Sequence, residues 1–172
     1  MLNAAIIGLG WWGKTLARAA RSGGEIAIVA GATGRRALAE DFAAEQGFDL
    51  LDSYEQVLAD PRVEAVVIAS PQETHRAIAE AAFALGKPVF CEKPLGADLA
   101  DSRAMVAAAK ASGCVNMVGF NYIRTPASQY ARALVQSGAL GQILWFRGEH
   151  TEDFDADPMR PASWRNFGAA NG

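Results

Sequence analysis

Ala4-Ala5-Ile6-Ile7-Gly8-Leu9-Gly10-Trp11-Trp12-Gly13-Lys14 is the stretch from which the rest of the chain is read. Its first four residues are an apolar run of the kind that forms a buried strand. Glycine breaks the run, and Thr15-Leu16-Ala17-Arg18-Ala19-Ala20 follows at once as a helix former. Gly8, Gly10 and Gly13 stand at G-x-G-x-x-G spacing, and between a strand and a helix that spacing signals dinucleotide binding. Gly8 permits the tight turn, Gly10 lets backbone approach a pyrophosphate, and Gly13 lets the helix pack closely on the strand. The N–H groups of the first helical turn then face the phosphates, favoured by the helix dipole. Trp11 and Trp12 sit inside the turn and are taken as cofactor contacts, one of them covering the cofactor or the substrate mouth.

Outward from this turn, strands and helices alternate. The spacing of apolar runs and of Gly and Pro predicts strands over residues 26–31, 48–50, 65–69, 89–91 and 116–119. Helices are predicted to about residue 22 and over 35–46, 54–59, 73–85 and 98–111, with Asp52 or Ser53 capping the third. That order implies right-handed crossovers and an α/β fold, a doubly wound parallel sheet of the Rossmann type. The alternation ends after Phe120. A helix over 126–137 and a strand over 141–150 are expected next, then an irregular acidic stretch. The expected organisation is a dinucleotide-binding domain over 1–120 and the incomplete start of an α+β substrate and oligomerisation domain over 121–172.

A chain of 172 residues suffices for one domain and part of another. Its 51% hydrophobic and 20% charged residues are the balance of an ordinary soluble globular protein. A net charge of −3 with no basic stripe argues against a nucleic-acid partner. No apolar run approaches the roughly 18 residues of a membrane span, and no basic leader precedes the first strand, so a cytoplasmic location without membrane contact is expected. Cys91 and Cys114, both in apolar strand-like runs, make neither a disulfide framework nor a metal spacing and read as small buried residues. Glu149, His150, Glu152, Asp153, Asp155 and Asp157 match no metal-binding loop and read as a solvated segment, so no metal is expected.

In an open parallel sheet, ligands bind beyond the carboxyl ends of the strands. The residues expected on that rim are 8–13, 31–36, 70–75, 92–95 and Asn121-Tyr122. The second strand ends in Gly31-Ala32-Thr33-Gly34-Arg35-Arg36, without the acid that would accept hydrogen bonds from the adenosine ribose. Thr33, Arg35 and Arg36 would instead receive a 2′-phosphate, which favours NADP, with NAD the other candidate. Ser70, Pro71 and His75 sit at a strand end and in the first helical turn, where they would reach the diphosphate or the nicotinamide ribose. Taken alone, His75 reads as a surface histidine at a helix start. In Glu92-Lys93-Pro94, proline holds the lysine in an extended conformation at the rim, suited to exchanging a proton with a substrate hydroxyl. Glu92 is expected to hold the ammonium in place.

As an ordered set these residues resemble the Gfo/Idh/MocA family of NAD(P)-dependent oxidoreductases. The set comprises the glycine turn, Ser70-Pro71 with His75, Gly86-Lys87-Pro88-Val89 leading into Glu92-Lys93-Pro94, Gly119-Phe120-Asn121-Tyr122 with Pro126, Gly138-Ala139-Leu140-Gly141, and Ser163-Trp164-Arg165. The resemblance implies a two-domain enzyme that moves hydride between a nicotinamide and a sugar, polyol or related hydroxyl carbon, and a full-length form that is a homo-oligomer. Lys93 matches the catalytic lysine, Trp164-Arg165 matches a pair that approaches the cofactor from the second domain, and Asn121 and Tyr122 are taken with Lys93 as substrate contacts. Family members are longer and carry a downstream Asp and His facing the lysine. The expectation is therefore the N-terminal part of a longer enzyme, binding cofactor but turning over poorly, with Leu144, Trp145 and Phe146 left exposed. The alternative on the same fold is a non-catalytic NAD(P)-binding regulator or sensor.

Overall fold

The computed structural model describes residues 1–153 and 156–161. Six parallel strands form one sheet: β1 (Leu2–Ile7), β2 (Ile26–Ala32), β3 (Asp49–Leu50), β4 (Ala65–Ile68), β5 (Val89–Cys91) and β6 (Asn116–Val118). Their order is β3-β2-β1-β4-β5-β6, with β1 bonded to both β2 and β4. The chain winds outward from β1 in both directions, which puts the reversal of strand order, and the crevice that goes with it, at the carboxyl ends of β1 and β4. Five helices lie between the strands: α1 (Trp11–Gly23), α2 (Glu40–Gln46), α3 (Tyr54–Ala59), α4 (His75–Ala84) and α5 (Leu99–Ser112).

The strands are apolar along their whole length because helices cover both faces of the sheet. Successive residues of β1 point to opposite sides. Ala5 and Ile7 join a core with Val57, Val66, Ile68, Ile78, Phe83 and Met105, beneath α3, α4 and α5. Ile6 joins a second core with Leu9, Ala17, Phe42, Ala43 and Phe48, beneath α1 and α2. Ile6 and Ile68 are fully buried, each burial worth about 1.5–3 kcal/mol. Of the two expected caps for α3, Ser53 does the work, its hydroxyl accepting from the Gln56 N–H. Asp98 caps α5 in the same way, accepting from the Asp101 N–H at 2.8 Å.

Local structure departs from expectation in four places. The helix expected from residue 35 divides into a 3-10 turn, Arg36–Leu38, and α2, because Ala39 turns into the core between them. The helix expected from residue 73 likewise opens as a 3-10 turn, Gln72–Thr74, before α4. Cys114 lies in the link between α5 and β6 rather than in a strand. No strand forms over residues 141–150, which lack a partner edge among the described residues. A strand without a neighbour leaves its amides and carbonyls unpaired, so alternation of side chains does not suffice to form one.

The chain divides into two compact units, Met1–Phe120 and Asn121–Gly172. The second holds a 3-10 turn, Asn121–Arg124, and α6 (Pro126–Gln136), whose first turn is capped by the Thr125 hydroxyl. None of its described side chains is buried, and Leu144, Trp145 and Phe146 are 85%, 75% and 84% exposed. Among the described residues no helix is long and apolar enough to cross a membrane.

Candidate functional site

Backbone hydrogen bonds stitch the carboxyl ends of the strands into one rim. Gly8 N–H donates to Ala32 O, Ala69 N–H to Ile7 O, Glu92 N–H to Ile68 O and Gly119 N–H to Cys91 O, at 2.8 to 2.9 Å. The loops after β1, β2, β4, β5 and β6 are thereby fixed side by side. The residue that follows β6 within the first unit's rim is Gly119, and Asn121 and Tyr122 belong to the second unit. There the Tyr122 hydroxyl donates to Glu152 Oε1 at 2.9 Å, which raises its pKa, and His150 Nε2 lies 3.0 Å from the same oxygen. Trp164 and Arg165, like Ser163 and Asp155, lie outside the described residues.

The glycine turn has the geometry of an anion cradle. Gly8 has φ of +96°, and a Cβ there would run into the Ala69–Ser70 backbone. A Cβ at Gly13 would overlap the Gly8 carbonyl oxygen, so α1 sits directly against the turn. At Gly10, by contrast, an added Cβ meets no atom of the described residues within 4 Å. Gly10 is also the N-cap of α1 and carries no capping side chain, and the first turn holds no acid. The N–H groups of Trp11, Trp12 and Gly13 therefore have no intrahelical partner, and the space where a Gly10 side chain would stand is open. Trp11 is 78% exposed, with its ring 5.4 Å from that of Trp12. Trp12 Nε1 is buried without an acceptor among the described residues, and an indole nitrogen can only donate. Open space, unspent donors and a favourable dipole fit a dinucleotide diphosphate at this turn.

At the end of β2 the two arginines separate. Arg36 is held by Glu40 and Asp52, at 3.3 and 2.8 Å, so its expected place against a cofactor is taken by its own carboxylate neighbours. Arg35 is exposed and has no partner among the described residues, and Thr33 is half-buried beside it. Sequence reasoning missed Lys14, whose ammonium donates to the Leu38 carbonyl at 2.6 Å and ties α1 to this loop. A lysine one residue after a glycine turn carries no signal of that reach.

After β4, Thr74 Oγ1 donates its one proton to Pro71 O, so the Ser70 hydroxyl 2.7 Å away must donate to Thr74. Ser70 Oγ keeps its lone pairs for a ligand donor. His75 is not the surface histidine expected of a helix start. It is 1% exposed, with Nε2 2.9 Å from Ser70 O and Nδ1 3.1 and 3.2 Å from Pro94 O and Leu95 O. Its ring is spent on backbone carbonyls and leaves no nitrogen for a cofactor.

After β5 the roles within Glu92-Lys93-Pro94 also differ from expectation. Glu92 is 7% exposed, and its carboxylate accepts the backbone N–H of Lys93 at 3.2 Å rather than the ammonium. Consecutive side chains of an extended segment point to opposite sides, so Glu92 turns inward while Lys93 turns out. Lys93 is exposed and makes no ion pair among the described residues. The inward turn of Glu92 is accommodated by Gly119, where a Cβ would lie 2.5 Å from Glu92 Oε1. Cys91, next in line, is no nucleophile: burial, and then the Glu92 charge, push its thiol up to about 12. Among the described residues no group of three or more His, Cys, Asp or Glu side chains is placed to hold a metal ion.

Comparison with known proteins gives the family of the chain. Residues 2–120 match the model of the Gfo/Idh/MocA proteins, an oxidoreductase family with an NAD-binding Rossmann fold. The chain is 43% identical over 129 residues to levoglucosan dehydrogenase of Pseudarthrobacter phenanthrenivorans, covering 74% of this chain and 33% of that one. An NAD binding oxidoreductase from Klebsiella pneumoniae has a similar structure, with a TM-score of 0.88 at 36% identity over 95% of this chain and 46% of the other. Levoglucosan dehydrogenase in complex with NADH and levoglucosan gives 0.86 at 39% identity, over 95% and 47%. The chain thus spans between a third and a half of the length of these relatives. With the glycine turn and the Glu92-Lys93-Pro94 loop on the same rim, and the family match running along that whole sheet, the chain belongs to the Gfo/Idh/MocA family of oxidoreductases.

Proposed function

We propose that this chain is the cofactor-binding part of an NAD(P)-dependent dehydrogenase acting on a hydroxyl-bearing carbon of a sugar, polyol or related small molecule. The observation that carries the reading is the Lys93 ammonium, unpaired among the described residues, on the rim that also carries the open glycine cradle. When bound, the nicotinamide supplies or accepts the hydride. The α1 N–H groups and the space at Gly10 receive the diphosphate, and Ser70 Oγ accepts from a ribose hydroxyl. Lys93 Nζ holds the substrate oxygen. In the oxidising direction its neutral amine takes the hydroxyl proton, and in the reducing direction its ammonium returns one to the carbonyl oxygen. An unpaired lysine is what a proton-exchanging group needs and what a regulator has no use for, which favours the enzyme over a sensor on the same fold.

For the cofactor we favour NADP over NAD, since the Arg35 guanidinium has no partner among the described residues and residues 31–36, at the end of β2, include no acid to repel a 2′-phosphate. The identity with a levoglucosan dehydrogenase supports a sugar-like substrate. The two unpaired cysteines fit a reducing compartment, which we read as the cytoplasm. We take Asn121 and Tyr122 as substrate contacts, Trp164-Arg165 as a further cofactor contact, and the full-length form as a homo-oligomer. Titration of the chain with NADH and NADPH by ligand fluorescence tests the reading. Saturable binding of both, tighter for NADPH, is expected. Binding of neither overturns the proposal, and tighter binding of NADH overturns the NADP preference.

A further inference from the structure

His75 opens α4 yet is among the most buried side chains in the chain, and its ring lies between two loops of the rim. Nε2 faces the carbonyl of Ser70, which follows β4. Nδ1 faces the carbonyls of Pro94 and Leu95, which follow β5. All three partners are acceptors only, so every useful contact has the ring donating. A neutral imidazole donates to one loop, and an imidazolium to both. A ring without N–H groups would leave the carbonyls bare at a cost of about 1–3 kcal/mol for each one kept from water.

The loop after β5 depends on such a donor. Pro94 has no N–H of its own, so this residue can be held through its backbone only at its carbonyl. Lys93 has no ion pair among the described residues, so its aim is set through the main chain. That main chain is gripped on one side by Glu92 Oε2, which accepts the Lys93 N–H, and on the other by His75, which meets the carbonyl of the very next residue.

We propose that His75 is a positioning residue: by donating to main-chain carbonyls it holds the Ser70 loop and the Pro94–Leu95 loop in register and aims Lys93 across the rim. The reference to Lys93 rests on the function proposed above, whereas the hold on the two loops does not. The donors carry the role, not the volume of the ring.

The test compares His75→Phe, which keeps a ring and loses every ring N–H, with His75→Gln, whose amide carries two N–H groups. Amide hydrogen exchange of residues 92–97 is measured against residues 54–59, and NADH affinity is measured beside it. In His75→Phe, exchange over 92–97 should rise about tenfold or more with 54–59 unchanged. NADH affinity should fall about tenfold, the worth of one lost hydrogen bond. His75→Gln should bring both back to within about threefold of the parent chain. If His75→Phe does not unfold cooperatively, His75→Met against His75→Gln makes the same comparison. A folded donor-free variant with parental exchange over 92–97, or a folded His75→Gln no better than it, overturns the proposal. A parent chain that binds no NADH defeats the dinucleotide reading instead, and the exchange data still decide the role of His75.

Discussion

A Cβ placed on Gly13 would overlap the carbonyl oxygen of Gly8, whereas one placed on Gly10 would meet open space. The three glycines of the turn therefore do different work. Gly13→Ala should destabilise the chain by about 1–3 kcal/mol through overpacking, and dinucleotide affinity should fall with it. Gly10→Ala should leave the urea midpoint close to parental and weaken NADH binding by about tenfold or more, since the methyl enters the space assigned to the diphosphate. Urea unfolding and fluorescence titration of the two variants separate these effects. Equal binding by Gly10→Ala and the parent would remove the diphosphate from this turn.

The two neighbouring arginines should also divide. Arg36 spends its guanidinium on Glu40 and Asp52, so Arg36→Ala should cost about 0.2–1 kcal/mol per exposed ion pair and leave cofactor choice alone. Arg35→Ala should weaken NADPH about tenfold or more, the worth of a charge-assisted hydrogen bond, with NADH unchanged. Paired titrations with the two nucleotides are the check.

Gly119 gives the Glu92 carboxylate its room, with the nearest oxygen 2.5 Å from where a side chain would begin. Gly119→Ala should push that carboxylate off the Lys93 N–H and destabilise the chain by about 1–3 kcal/mol. Faster amide exchange at Lys93 reads the lost hydrogen bond, and chemical denaturation reads the loss of stability.

The cysteines should differ in reaction with iodoacetamide. With its thiol pushed up to about 12, Cys91 holds a thiolate fraction of only about one in ten thousand at pH 8, and it is buried as well. Half-buried Cys114 should be labelled first, with Cys91 following only on unfolding, as peptide mass spectrometry would record.

On the acid side, Asp60 should contribute a pH-dependent share of stability. Hydrogen bonds from Arg62 hold its carboxyl below the ordinary value of 3.8, so the folded state gives up this proton more readily than the unfolded one. The contribution is complete above 3.8 and is lost as the pH falls through the lower folded value. Asp60→Asn should flatten the dependence of the urea midpoint on pH between about pH 5 and pH 2. An unchanged slope would mean that the pair contributes nothing.

Much of the fold was legible because its signals are local. The apolar runs at Ala65–Ile68 and Val89–Cys91 are strands wherever helices cover both faces of a sheet, and Ser53 before Tyr54 carries its own capping chemistry. The stretch over 141–150 misled for the opposite reason: its alternation is local, whereas a strand exists only beside a partner. The candidate site was legible to the extent that it lies at strand ends, which the order of elements locates.

From the sequence by itself came the parallel sheet, the glycine turn, the rim after each strand and the family, since periodicity, glycine spacing and the Glu92-Lys93-Pro94 run are properties of neighbours along the chain. Which groups on that rim are free was decided only by the tertiary structure. Arg35 is open and Arg36 is spent, Lys93 points out while Glu92 turns in toward Gly119, and His75 is buried between two loops it holds with its ring nitrogens. The physical reason is that a side chain's availability depends on the acceptors and donors that distant segments bring to it, and residue type and spacing carry no record of those partners.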